Sequence, residues 1–189
     1  MRLFVGVELG ETVRTEAARL VDDLRRRAST LAPRAHITWV SPERIHVTVR
    51  FIGHVDDARG SVIAGVLEPP IDVEPFELVV AGTGAFPDRG APRVIWAGLG
   101  DGVASLEAVE RAVTSRLTPL AIPPEDRPYR PHVTLARVKE AGGLRVAALL
   151  DGWREHRFGV RRVDAITLFE SRLSLKGPTY VPLHRTALR

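Results

Sequence analysis

Two short stretches carry side chains suited to moving protons at a phosphorus centre: His46-Val47-Thr48-Val49 and His132-Val133-Thr134-Leu135. Histidine titrates near neutral pH and can act as acid or base. A threonine hydroxyl can donate a hydrogen bond to a phosphoryl oxygen. In a β-strand, residues two apart share a face, so each stretch predicts a strand with an imidazole beside a hydroxyl and apolar residues on the reverse. Two such pairs, far apart in the chain, suit phosphate chemistry if the fold brings them together. A third His-x-Thr occurs at His36-Ile37-Thr38-Trp39. His46 and His132 each follow a proline-containing turn and open a strand whose alternate residues are apolar, whereas the strand at His36 is cut short at Pro42. The expected pair is therefore His46 with His132, leaving His36 structural or exposed.

The elements needed to position this pair can be read from periodicity. Residues 2–9 read as a strand. A helix over 11–27 is predicted from Val13, Ala17, Leu20, Val21 and Leu24 on one face, and Arg25-Arg26-Arg27 would then cap its negative end as a solvated terminus. Strands are expected at 37–40 and 45–52, separated by the turn Ser41-Pro42-Glu43-Arg44. A helix over 56–67 stops at Pro69-Pro70, and strands 76–86 and 93–99 form a hairpin around Pro87-Asp88-Arg89-Gly90. A helix over 103–117, a proline-rich loop over 119–131 and the second histidine strand follow. A helix over 142–153 and strands over 157–171 and 178–185 close the chain. Strands, helices and hairpins interleave in an order repeated in both halves, which predicts an α+β fold rather than a doubly wound parallel sheet. The expectation is one domain over 1–189 with two similar lobes. Each lobe is a mostly antiparallel sheet with helices on its outer side, and the lobes face each other across a central cleft.

Bulk composition narrows the function classes. Hydrophobic residues make up 44% and charged residues 26% of the 189, the balance of an ordinary soluble domain. The uncharged run from Leu78 to Pro87 is about half the length of a membrane span, and Glu8 interrupts the first apolar stretch before it could serve as a signal-peptide core. The absence of cysteine excludes disulfides, thiolate metal sites and thiol catalysis. A cytoplasmic monomer with no membrane contact is the resulting expectation. Of the 27 basic residues only Lys139 and Lys176 are lysine. Arginine suits bidentate phosphate contacts, although a coding bias would give the same excess. A net charge of +4 is compatible with an RNA or nucleotide partner.

With these residues in view, the chain resembles the two-histidine phosphoesterase superfamily, and within it the RNA 2′,3′-cyclic phosphodiesterase branch, also described as 2′-5′ RNA ligase. The paired His-x-Thr-x tetrapeptides carry the resemblance. It is extended by Met1-Arg2-Leu3-Phe4-Val5-Gly6-Val7, by Trp39-Val40-Ser41-Pro42-Glu43-Arg44-Ile45-His46 leading into Phe51-Ile52-Gly53, and by Tyr129-Arg130-Pro131-His132-Val133-Thr134-Leu135-Ala136-Arg137. Leu168 to Leu173 and Gly177 to Tyr180 also fit, and His54 stands where an acidic residue is expected. The resemblance implies hydrolysis of RNA or nucleoside 2′,3′-cyclic phosphates to 2′-phosphomonoesters, with no cofactor and no metal. It further implies His46 as proton donor to the leaving 3′-oxygen, His132 as proton acceptor from water, and Thr48 and Thr134 as donors to the phosphorane.

Around this core, alternation places Arg50 on the face of His46 and Thr48, and Arg130 on that of His132 if the strand starts early enough. Either could pin phosphate, or be a surface arginine. Phe51 and Phe86 are candidates for stacking a nucleobase, against the alternative of core or hairpin positions. Competing readings are a non-catalytic RNA-binding module, the same site acting on another cyclic phosphate or joining 2′-5′ ends, and a metalloenzyme. The last lacks a His-Glu-x-x-His motif and has only one good nitrogen ligand per strand.

Overall fold

The computed structural model describes residues 1–174 and 177–189. In chain order its first elements are β1 (Arg2–Glu8), α1 (Glu11–Leu31), β2 (His36–Trp39), β3 (His46–His54), α2 (Asp57–Leu67), β4 (Phe76–Phe86), β5 (Val94–Leu99) and α3 (Val103–Leu117). β6 (Val133–Glu140), α4 (Val146–Leu149), β7 (Arg157–Val163), β8 (Ala165–Ser174) and β9 (Gly177–Ala187) follow. The fold is α+β and the paired strands are antiparallel, in the order β7-β4-β5-β6-β3-β1-β8-β9 with β2 also on β6. One lobe is β3-β1-β8-β9. The other is β7-β4-β5-β6 with β2.

The lobes meet at a single ladder pair, Val47 with Val133. β6 offers one edge to two partners in succession: its far end pairs with β2, and its first residue pairs with β3. The chain runs along β6 in β2, with Val40 N–H donating to Leu135 O at 2.8 Å. It then turns through residues 42–44 and enters the other lobe as β3. Val47 and Val133 are fully buried, each contributing about 1.5–3 kcal/mol by removal from water. The junction is thus narrow in hydrogen bonds but anchored by apolar packing.

Two helices, α1 and α3, cross to the lobe opposite the strand that precedes them. α1 follows β1 yet packs on β7 of the other lobe, where Val13 lies against Gly159 and Arg27 donates to Asp151 O at 2.6 Å. α3 follows β5 yet packs on β3, and α2 packs on α3 and β9. The buried apolar residues form one contiguous cluster drawn from both lobes.

Three local expectations change. α1 continues to Leu31, burying Ala28, so Arg25-Arg26-Arg27 lies inside the helix and not at its end. These arginines pair one turn back, Arg26 and Arg27 with Asp23 at 3.3 and 2.8 Å. The expected helix over 142–153 shrinks to the single turn of α4, because Gly142, Gly143 and Gly152 all hold positive φ. The expected strand 157–171 breaks at Asp164 into β7 and β8, which belong to opposite lobes.

Candidate active site

Antiparallel pairing of Val47 with Val133 sets His46 opposite Thr134 and Thr48 opposite His132. All four project from the face opposite the buried valines, and all four are partly exposed. The two histidines are diagonal neighbours in this register, which for a regular antiparallel pair means about 7–8 Å between their positions. That is close to the span of one phosphate group accepting a hydrogen bond of about 2.8 Å on either side. Neither threonine hydroxyl is engaged by another described residue.

Each imidazole is held in the same way. Nδ1 of His46 lies 2.8 Å from Arg44 O, and Nδ1 of His132 lies 2.7 Å from Arg130 O, in both cases the carbonyl two residues back. A carbonyl only accepts, so both Nδ1 atoms carry hydrogen and donate. The neutral rings are therefore fixed in one tautomer with Nε2 left for a substrate. Pro42 opens the short turn that ends at Arg44, and Pro131 directly follows Arg130. Burial lowers the pKa of both histidines, opposed in each case by the carbonyl bond. Arg137 pushes both lower still, and the two rings are near enough for His132 to disfavour protonation of His46.

A symmetric irregularity follows each pair. Opposite Val5 and Gly6 stand Arg50 and Thr48, so Val49 is an extra residue in β3. Opposite Ile95 and Trp96 stand Ala136 and Thr134, so Leu135 is an extra residue in β6. Both bulges come three residues after the histidine. In consequence two successive residues are buried in each strand, Val49 with Arg50 and Leu135 with Ala136, and the faces of the side chains that follow directly, Phe51 and Arg137, are reversed.

This reversal corrects the expectation for Arg50. It does not share the face of His46 and Thr48 but is 3% exposed and turned toward α3 and the loop before His132. Phe51, which unbroken alternation would send to the core, is instead 49% exposed, with its ring 6.3 Å from Phe4. Phe4 in turn lies 4.9 Å from the His46 ring. The residue equivalent to Phe51 in β6 is Arg137, an exposed cation whose charge acts on both imidazoles. Sequence periodicity misses Arg137 because His132, Thr134 and Ala136 mark the opposite phase. Only the bulge restores it to the site.

Aromatic rings pack each histidine. Tyr180 meets His46 edge-on at 4.9 Å and Phe4 at 5.1 Å. Phe86 meets His132 edge-on at 5.1 Å and lies 5.2 Å from Trp96. The indole of Trp96 covers Gly84 so closely that no Cβ fits there, which explains the glycine inside β4. Arg130 precedes the strand, since β6 starts at Val133. Its guanidinium stacks 4.4 Å above Phe86 and forms two hydrogen bonds to Asp88, at 3.1 and 3.2 Å. It is therefore already paired, while its carbonyl orients His132. His36 lies exposed on β2 opposite Glu140, and His54 ends β3 opposite Arg2. Among the described residues, no three His, Cys, Asp or Glu side chains are grouped to hold a metal ion, and no helix is long and apolar enough to cross a membrane.

Residues 13–172 match the 2′-5′ RNA ligase superfamily. A protein of Aeropyrum pernix named RNA 2′,3′-cyclic phosphodiesterase is 37% identical over 146 residues, covering 77% of this chain and 82% of its own. One of the same name from Thermus thermophilus is 33% identical over 196 residues, covering 100% and 91%. Among solved structures, one from Thermus thermophilus superposes with a TM-score of 0.73 at 30% identity, covering 100% of this chain and 98% of that one. E. coli LigT complexed with 3′-AMP gives a TM-score of 0.73 at 21% identity over 99% and 97% of the two chains, a likeness of fold.

Proposed function

The chain belongs to the 2′-5′ RNA ligase superfamily, and from that premise we propose that His46 and His132 are the acid and base of a hydrolase that opens RNA 2′,3′-cyclic phosphates to 2′-phosphomonoesters. The observation that carries this reading is the paired histidine geometry. Two imidazoles, each with Nδ1 bonded to a carbonyl and Nε2 free, face one another across a single ladder pair. His132 takes a proton from the attacking water, and His46 delivers one to the departing 3′-oxygen on the far side of phosphorus. Thr48, Thr134 and Arg137 supply donors and positive charge to the non-bridging oxygens as the phosphorane forms. Phe51, 49% exposed, offers a π-face to a nucleobase of an RNA end, whereas Phe86 is already covered by Arg130 and packed against Trp96, and borders the same surface. No step in this scheme calls on a metal.

The direct test is turnover of an oligoribonucleotide ending in a 2′,3′-cyclic phosphate, in excess chelator, with the product followed by phosphorus NMR. A 2′-phosphate formed at an undiminished rate is expected. A 3′-phosphate product would reverse the assignment of the leaving oxygen, and loss of activity restored by added metal would overturn the metal-free scheme.

The lowered histidine pKa values set the pH dependence. The acid must enter protonated and the base unprotonated, and kcat/KM reports the free enzyme. With His46 lowered by burial below the usual value of about 6.5, its protonated fraction is already falling as pH approaches 7. His132 is lowered as well, which moves the acid limb down. A bell with its maximum on the acid side of pH 6.5 is expected. A kcat/KM that climbs between pH 7 and 8 would contradict the assigned protonation states.

A further inference from the structure

A cavity of about 500 Å³ lies behind β3, on the side away from the face of His46 and Thr48, between α3 and the segment 121–131 that ends at His132. Val49, Arg50, Thr114, Pro124 and Tyr129 are among its walls. The segment contains neither helix nor strand, and yet it is tied to β3 at two points. The buried Arg50 donates through Nη2 to Pro123 O. In the other direction, Tyr129 donates its hydroxyl to Thr48 O at 2.8 Å. Burial, then Glu110, Glu107 and Glu125, push the Tyr129 pKa upward, so this hydroxyl stays protonated and remains a donor. A third tie, from Arg59 to Leu120 O at 2.7 Å, fixes the segment's start to α2.

Both anchor points lie within four residues of His46, and the segment they hold runs directly into His132. We infer that Arg50 and Tyr129 are positioning residues, and that the segment 121–131 is a strap holding the His132 strand at its working distance from the His46 strand. The need for it is visible at the lobe junction. Val47–Val133 is the one ladder pair between β3 and β6, and one pair does not fix the angle or the slide of two strands. The strap adds two cross-ties on the reverse side of the sheet. The bulge at Val49 is what makes the first possible, because it turns Arg50 from the catalytic face to the strap. Arg50 accordingly has a buried Nε without a partner and an ion pair to Glu125 of only 3.7 Å. Its anchoring contact is with the strap backbone, and so its function is geometric.

This inference rests on the two-histidine reading, because positioning matters only if both rings act together. Misplacing a catalytic group by about 1 Å costs about 10²-fold in rate, and loss of one of two ties should cost part of that. Tyr129→Phe removes one oxygen and keeps the ring. It should lower kcat about tenfold with KM nearly unchanged, and shift the imidazole NMR signals of His46 and His132 while leaving those of His36 and His54 in place. Arg50→Met should do the same more strongly. If it does not fold, Tyr129→Phe alone carries the test. Wild-type kcat with unmoved His46 and His132 signals would overturn the strap, as would a loss confined to KM. The NMR measurement needs no substrate, so it stands apart from any failure of the proposed reaction.

Discussion

Replacement of either histidine by alanine should lower kcat by about 10²–10⁴-fold, the range contributed by a positioned proton-transfer group, with KM close to wild type. The two losses should not multiply. Once one proton transfer is lost the concerted path is gone, so His46→Ala combined with His132→Ala should be little worse than the more damaging single change. Roles can be separated by altering the leaving group. A substrate with sulfur in place of the bridging 3′-oxygen departs without protonation, and it should restore much of the rate to His46→Ala but none to His132→Ala. Rescue of His132→Ala instead would exchange the two roles. Wild-type turnover in either single variant would remove the two-histidine mechanism altogether.

Arg137→Gln should produce the next largest effect, a fall in kcat of about 10²–10³-fold, comparable to the loss of one preorganised donor to a developing oxyanion. The argument is from position and charge. Arg137 returns to the catalytic face through the bulge at Leu135, and its charge disfavours protonation of both His46 and His132. Removing it therefore raises both pKa values, and the alkaline limb of the kcat/KM profile should move to higher pH in the same variant that has lost rate. A purely structural arginine would not link those two changes. An unaltered limb together with wild-type kcat would place Arg137 outside the reaction.

Much of the site is readable as pattern. His46, Thr48, His132 and Thr134 follow from two-residue alternation, and that rule holds up to the third residue after each histidine. Beyond it the rule fails, from Arg50 and Ala136 onward, because the bulges at Val49 and Leu135 leave no mark in the sequence. Val49-Arg50-Phe51 and Leu135-Ala136-Arg137 read as continuing strands, which puts Arg50 on the wrong face and hides Arg137. The strands and helices themselves are mostly legible, since each carries its own apolar period. Their partners are not. Nothing in the spacing of Val13, Ala17 and Leu20 tells which sheet α1 covers. The repeat of strand–helix order suggests that each half of the chain builds one lobe, whereas β8 and β9 complete the lobe of β1, and α1 completes the lobe of β7.

That exchange of elements has a consequence for how the protein comes into being. As the chain emerges during synthesis, β1 and β3 appear early, yet the sheet they belong to lacks β8 and β9 until residue 187 has followed. The other sheet waits for β7. Neither lobe is built from consecutive elements, and such distant pairings are slow to form because loop closure must come before the contacts that compensate it. The two sheets that carry His46 and His132 are therefore both complete only after nearly all of the described chain has been made.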